Sequence, residues 1–114
     1  MARHATRPTI DETAEMAEMF RLMGDPTRLR ILLACLDAPV PVGELAARVG
    51  ASPSLVSHHL RLLKTARILR AERRGKRIFY GAADEHIRTV ITDMGAHVGE
   101  VPARRRPLAR AGAA

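Results

Sequence analysis

This chain is poor in most of the residues from which small proteins build covalent or catalytic sites. It has one cysteine, Cys35, in 114 residues, so neither an internal disulfide framework nor a multi-thiolate metal site can be assembled. Cys35 sits in the apolar run "ILLACL", where it reads as a small buried hydrophobe. Tryptophan is absent and Phe20, Phe79 and Tyr80 are the whole aromatic complement, too few to stack the bases of a single strand. No apolar run is long enough to span a bilayer, and the start "MARHATRP" has charge without the apolar stretch of a secretory signal. These two absences predict a cytoplasmic protein with no membrane partner. No HExxH, nucleophile elbow or phosphate loop is present, which argues against an enzyme and against a small-molecule substrate.

Positive charge, by contrast, is plentiful and uneven. The net charge is +7, and the stretch from Arg61 to Arg77 holds eight Lys or Arg against one acid, Glu72. The first twenty-five residues hold five acids against three arginines. The basic surface is therefore local, as expected of a domain that meets a polyanion, and with so few aromatics duplex DNA is the favoured partner.

Periodicity divides the chain into a flexible arm over residues 1–9, one domain over 10–100, and a basic tail over 101–114, rich in Arg, Pro and Ala and expected to be disordered. Apolar residues recur at helical spacing from Ile10 to Met23, with Gly24 as a stop. Asp25 can cap a second helix and Pro26 can open it, running to about Leu36. "DAPVP" turns the chain, and "VGELAARVG" forms a short third helix ending at Gly50. Ser52 and Pro53 start a fourth, with Leu55, Val56, Leu60, Leu62 and Leu63 facing inward, His59 on the core side, and Ser54, Ser57, His58 and Arg61 facing outward. Only "GAS" separates the third and fourth helices, the tight turn of a helix-turn-helix. "ILRAER" and "RIFYGA" then read as a β-hairpin joined through Arg74 and Gly75, a wing with Arg73, Arg74, Lys76 and Arg77 near its tip. A last helix starts near Asp84 and stops before Pro102.

The hydroxyls, imidazole and guanidinium at Ser54, Ser57, His58 and Arg61 suit base edges or phosphates in a major groove, and the wing cations suit the backbone or minor groove alongside. The order of elements and the phrases "GDPTRLRIL", "ELAARVG", "SLVSHHLRLLKTARIL" and "RRGKRIFY" resemble the ArsR/SmtB family of metal-sensing winged-helix repressors over roughly Met19 to Glu100. The resemblance implies a mainly α fold with a small β-hairpin, a winged helix-turn-helix that dimerises through its first and last helices. It also implies a repressor that releases operator DNA when metal binds.

The last helix, "DEHIRTVITDMGAHVGE", supplies candidate ligands. His86 and His97 share a face but stand ~16 Å apart along the axis at ~1.5 Å per residue, so one zinc, which reaches its donors at ~2 Å, cannot hold both. Glu100 can join His97, and Asp84, as a cap with non-helical backbone, can swing toward His86. If two such helices pack antiparallel about a twofold axis, Asp84 and His86 of one chain meet His97 and Glu100 of the other, twice per dimer. The stripe Ile87, Val90, Ile91, Met94 and Val98 would supply the apolar seam, with Gly95, Ala96 and Gly99 permitting close approach. The spacing of these four residues resembles the family's last-helix metal site position for position. Asp93, one turn before His97, matches no family ligand.

Two imidazoles and two carboxylates suit tetrahedral Zn2+, with Co2+ as a mimic, whereas Ni2+ wants more ligands. Cysteine ligands that some family members carry near the third helix or in the arm are absent. His4 leaves an alternative open: a free terminus at Ala2 followed by Arg3 and His4 could clasp nickel or copper, which would make the protein a nickel or cobalt sensor that uses its N-terminal arm. A winged-helix regulator without metal sensing is the other reading.

Overall fold

A computed structural model describes residues 7–100. The reading of His4, most of the arm and the tail lie outside the described residues. Five helices and a three-stranded antiparallel sheet follow one another as α1 (Ile10–Met23), α2 (Pro26–Ala34), β1 (Val40–Pro41), α3 (Val42–Val49), α4 (Pro53–Thr65), β2 (Leu69–Arg74), β3 (Arg77–Ala82) and α5 (Glu85–Gly99).

Most boundaries are set by side chains that satisfy the unpaired N–H groups of a first turn. Thr9 Oγ1 accepts from the Glu12 N–H at 3.1 Å while Glu12 Oε1 accepts from the Thr9 N–H at 2.9 Å, a reciprocal capping box. Asp25 accepts from the Arg28 N–H at 3.0 Å, with Pro26 in the first position of α2. Ser52 Oγ accepts from the Leu55 N–H at 3.1 Å, with Pro53 opening α4. Gly50 closes α3 in the left-handed region at φ 70°, and the chain re-enters a helix three residues later.

The hairpin turns at Gly75 and Lys76, with Gly75 at φ 63° and Arg74 paired to Arg77. A glycine with positive φ at the first central position is the demand of a tight hairpin whose twist matches its strands.

Three sequence expectations need correcting. "DAPVP" is more than a turn: Val40 and Pro41 pair antiparallel with Tyr80 and Phe79, giving the strand order β1-β3-β2. Two residues are too few to show alternation, and proline is tolerated because β1 is an edge strand. Gly81 makes room for this crossing, since a Cβ there would stand 3.3 Å from Pro39 Cγ. Helix α2 ends at Ala34, with Cys35 as its cap, rather than at Leu36. Leu55 does not face inward; it is 45% exposed, because it lies nearly perpendicular to the direction of Val56, Leu60 and Leu63.

The core joins α2, α3, α4 and β2 through Ile31, Leu32, Leu45, Leu60, Leu63 and Leu69, all fully buried. Cys35 is buried among them, its thiol donating to the Ile31 carbonyl at 3.3 Å. Burial pushes its pKa up to about 11, so it stays an unreactive thiol. By contrast, α5 sinks one side chain, Ile91, and is pinned by Arg88, whose Nε donates to the Leu36 carbonyl at 3.0 Å.

Candidate nucleic-acid interface and metal half-sites

Helix α4 presents Ser54, Ser57, His58 and Arg61 to solvent, as their positions on the helix require, while Val56, His59, Leu60 and Leu63 are buried. His59 is the one buried polar side chain among the described residues. Its Nδ1 lies 3.3 Å from Arg28 Nη1, and Arg28 Nε also donates to the Leu22 carbonyl at 2.8 Å. Arg28 thus ties the end of α1 and the start of α2 to the back of α4. Burial, then the neighbouring guanidinium, hold the His59 pKa below the ordinary histidine value. Arg28 was not singled out in the sequence, although its position three residues after a capping Asp was the available signal.

In the hairpin, Arg73, Arg74, Lys76 and Arg77 are all exposed near the turn. Arg73 Nη1 donates to the Gly75 carbonyl at 3.2 Å. Arg74 and Arg77 lie over the Phe79 ring, 4.6 and 5.4 Å from its centre, so one aromatic ring organises two cations. Glu72 bridges Arg74 at 2.8 Å and Arg70 at 3.2 Å, and the hydrogen bond from Arg74 lowers its pKa most. Arg70 extends the basic edge beyond the residues named from sequence.

Asp84 caps α5, with Oδ1 accepting from the Ile87 N–H at 3.0 Å, which leaves its second oxygen available. His86 stands nearby, and both residues line a cleft of about 480 Å³ with Arg67 and Arg70. Arg67 adopts φ 62° in the turn after α4 and forms an ion pair with Glu15 of α1. His97 and Glu100 are exposed at the far end of α5. Within one chain the four residues therefore form two separated pairs, and among the described residues no three His, Cys, Asp or Glu side chains gather as a metal cluster. Between the pairs, Val90, Met94 and Val98 are exposed and border, with Phe20, Met23 and Leu33, an apolar hollow of about 450 Å³. A Cβ added at Gly95 or Gly99 would meet nothing of the same chain.

Residues 25–71, spanning α2 to the start of the hairpin, match the bacterial regulatory proteins of the arsR family. A transcriptional repressor SmtB homologue from Synechocystis is 35% identical over 92 residues, 81% of this chain and 70% of its own length. The chain belongs to the ArsR family. Among solved structures, the AntR antimony-specific transcriptional repressor is 35% identical, with a TM-score of 0.69 over 81% of this chain and 84% of its own. A homodimeric winged helix-turn-helix domain from Mycobacterium bovis superposes with a TM-score of 0.73 at 22% identity, covering 82% of this chain and 89% of that one, and this likeness bears on the fold. As an ArsR-family member, the protein is a DNA-binding transcriptional repressor and not an enzyme. No helix among the described residues is long and apolar enough to cross a membrane.

Proposed function

We propose that this ArsR-family protein is a zinc-responsive repressor that binds operator DNA as a homodimer and releases it when metal occupies two inter-chain sites at the ends of α5. The observation that carries this reading is the layout of α5: Asp84 and His86 at one end, His97 and Glu100 at the other, and an uncovered apolar surface of Val90, Met94 and Val98 between. An apolar surface of that kind asks for a partner. An antiparallel copy would bury it and bring the partner's His97 and Glu100 to Asp84 and His86. The M. bovis domain that shares this fold is itself homodimeric, as this reading requires of the present chain.

The residues fit a divalent ion chemically. His86 and His97 make no hydrogen bond to other described residues, and Asp84 keeps one carboxylate oxygen free of its capping role. Two imidazoles and two carboxylates match a closed tetrahedral zinc set better than the thiolate sets used for soft metals. A bound ion would cross-link the two copies of α5. With its ends so linked, α5 would fix the crossing of the dimer and hence the spacing of the two α4 helices. That spacing must match successive major grooves ~34 Å apart for both to bind.

Binding linkage supplies the test. If zinc weakens DNA binding by some factor, saturating operator must weaken zinc binding by the same factor, with a coupling on the order of 1–3 kcal/mol. Zinc affinity would be measured against a competing chelator with and without operator. Equal affinities would leave a winged-helix regulator that does not sense metal through α5. Nickel or cobalt responding where zinc does not would move the metal assignment.

A further inference from the structure

Leu55 stands in an unusual place for an exposed aliphatic residue. Of the eight large apolar side chains left exposed among the described residues, seven belong to α1, α2 and α5, the helices that border the uncovered hollow. Leu55 is the remaining one, and it lies in the first turn of α4. At ~100° per residue it stands ~60° around the helix from His58 and about a right angle from the core direction. The hydrogen bond from its own N–H to Ser52 Oγ, 3.1 Å, fixes that first turn, so the side chain is held where the helix would enter a groove. It projects beside Ser54 and His58, both of which are polar and exposed.

Resting on the reading of α4 as the groove-reading helix, we infer that Leu55 is a specificity-determining residue that recognises the 5-methyl group of thymine. In the major groove this methyl is the apolar feature of an A·T pair, and an aliphatic side chain gains by covering it, whereas Ser54, Ser57 and His58 have only hydrogen bonds to offer. Leu55 thereby supplies the reading face with a preference that its polar neighbours cannot express.

The test removes the methyl instead of the residue. A consensus operator would be selected by the full-length protein from a random duplex library, and each thymine replaced in turn by deoxyuridine. The wild type should lose roughly fourfold in affinity at one or two positions per half-site, the worth of burying about one methyl. Leu55→Ala should bind the thymine and uracil duplexes equally, and Leu55→Met, which keeps an apolar reach, should retain the discrimination. The inference is overturned if no thymine methyl matters to the wild type, or if Leu55→Ala remains as sensitive as the wild type. Failure of the underlying reading looks different: Ser57→Ala and His58→Ala would then leave the selected consensus unchanged, and this inference would fall with it.

Discussion

Arg28 Nη1 stands 3.3 Å from His59 Nδ1, a polar contact between the capping segment of α2 and the buried side of α4. A guanidinium can only donate, so Nδ1 accepts and the ring carries its proton on Nε2. A protonated ring would lose that acceptor and place a second positive charge beside Arg28; Asp25, the nearby carboxylate, offsets this only in part, and His58 adds to it.

Stability should therefore fall in mild acid. Because the folded His59 pKa lies below the ordinary value, the unfolded chain takes up its proton first as pH drops. The contribution is fully present above about pH 6.5 and is lost as pH falls through the lowered folded value. Thermal midpoints measured from pH 7.5 to 5 should decline more steeply for the wild type than for His59→Asn, which cannot titrate. His59→Ala, which strands the Arg28 donor, should cost about 1–3 kcal/mol at pH 7.5. Parallel pH slopes in wild type and His59→Asn would refute the assignment.

Met94 is 58% exposed and lies midway along the proposed seam. Met94→Glu should leave the chain folded, since the side chain contributes little to the core, yet weaken dimerisation by about 3 kcal/mol through an unpaired charge in an apolar contact. Sedimentation would show monomers with an unchanged circular dichroism spectrum. A dimer as tight as the wild type would place the interface elsewhere.

Zinc should bind at one ion per chain, two per dimer. His97→Ala should abolish tight binding without unfolding, because His97 is exposed and bonds to no described residue. The Met94→Glu monomer should lose tight zinc as well, since neither end of a lone α5 holds more than two of the four ligands. Full-affinity zinc in a demonstrated monomer would refute the inter-chain site.

The wing arginines should act by charge and position. Arg74→Ala or Arg77→Ala should weaken binding almost uniformly across DNA sequences and reduce the salt slope by about one each. Glu72→Gln, which removes the acid that holds Arg70 and Arg74, should strengthen binding at low salt. Ser57→Ala and His58→Ala should instead relax sequence preference. Altered specificity with an unaltered salt slope in the wing variants would reverse the two roles.

The legible parts of this fold were those written locally. Asp25, Ser52 and Asp84 each precede a helix and each accepts the expected backbone N–H, and the Gly75 turn is set by a single residue's freedom; the Thr9 cap of α1 fell within what read as the arm. That Ser54, Ser57, His58 and Arg61 share an exposed face of α4 follows from helical period alone. What escaped depends on contacts between distant segments. Strand β1 exists because Val40 and Pro41 reach β3 some forty residues later, and a two-residue run carries no periodic signal. Leu55 looked inward because it is apolar, whereas its angle around α4 puts it at the flank. Arg28 reads as one more surface cation until α4 is folded against it. The four candidate ligands are separable into pairs from spacing, but what joins the pairs is a second molecule, about which one chain's local patterns say little.

The pairing of β1 with β3 has a mechanical meaning. It fastens the entrance of α3 to the same strand that carries the wing, while α4 is packed onto β2 through the shared core, so the two elements proposed to contact DNA form one stiff casting. Helix α5, held by Ile91 and the Arg88 contact, is the loosely mounted part. A signal arriving at α5 would accordingly swing each casting whole, like two keys on a common ring, and leave the teeth of each key uncut.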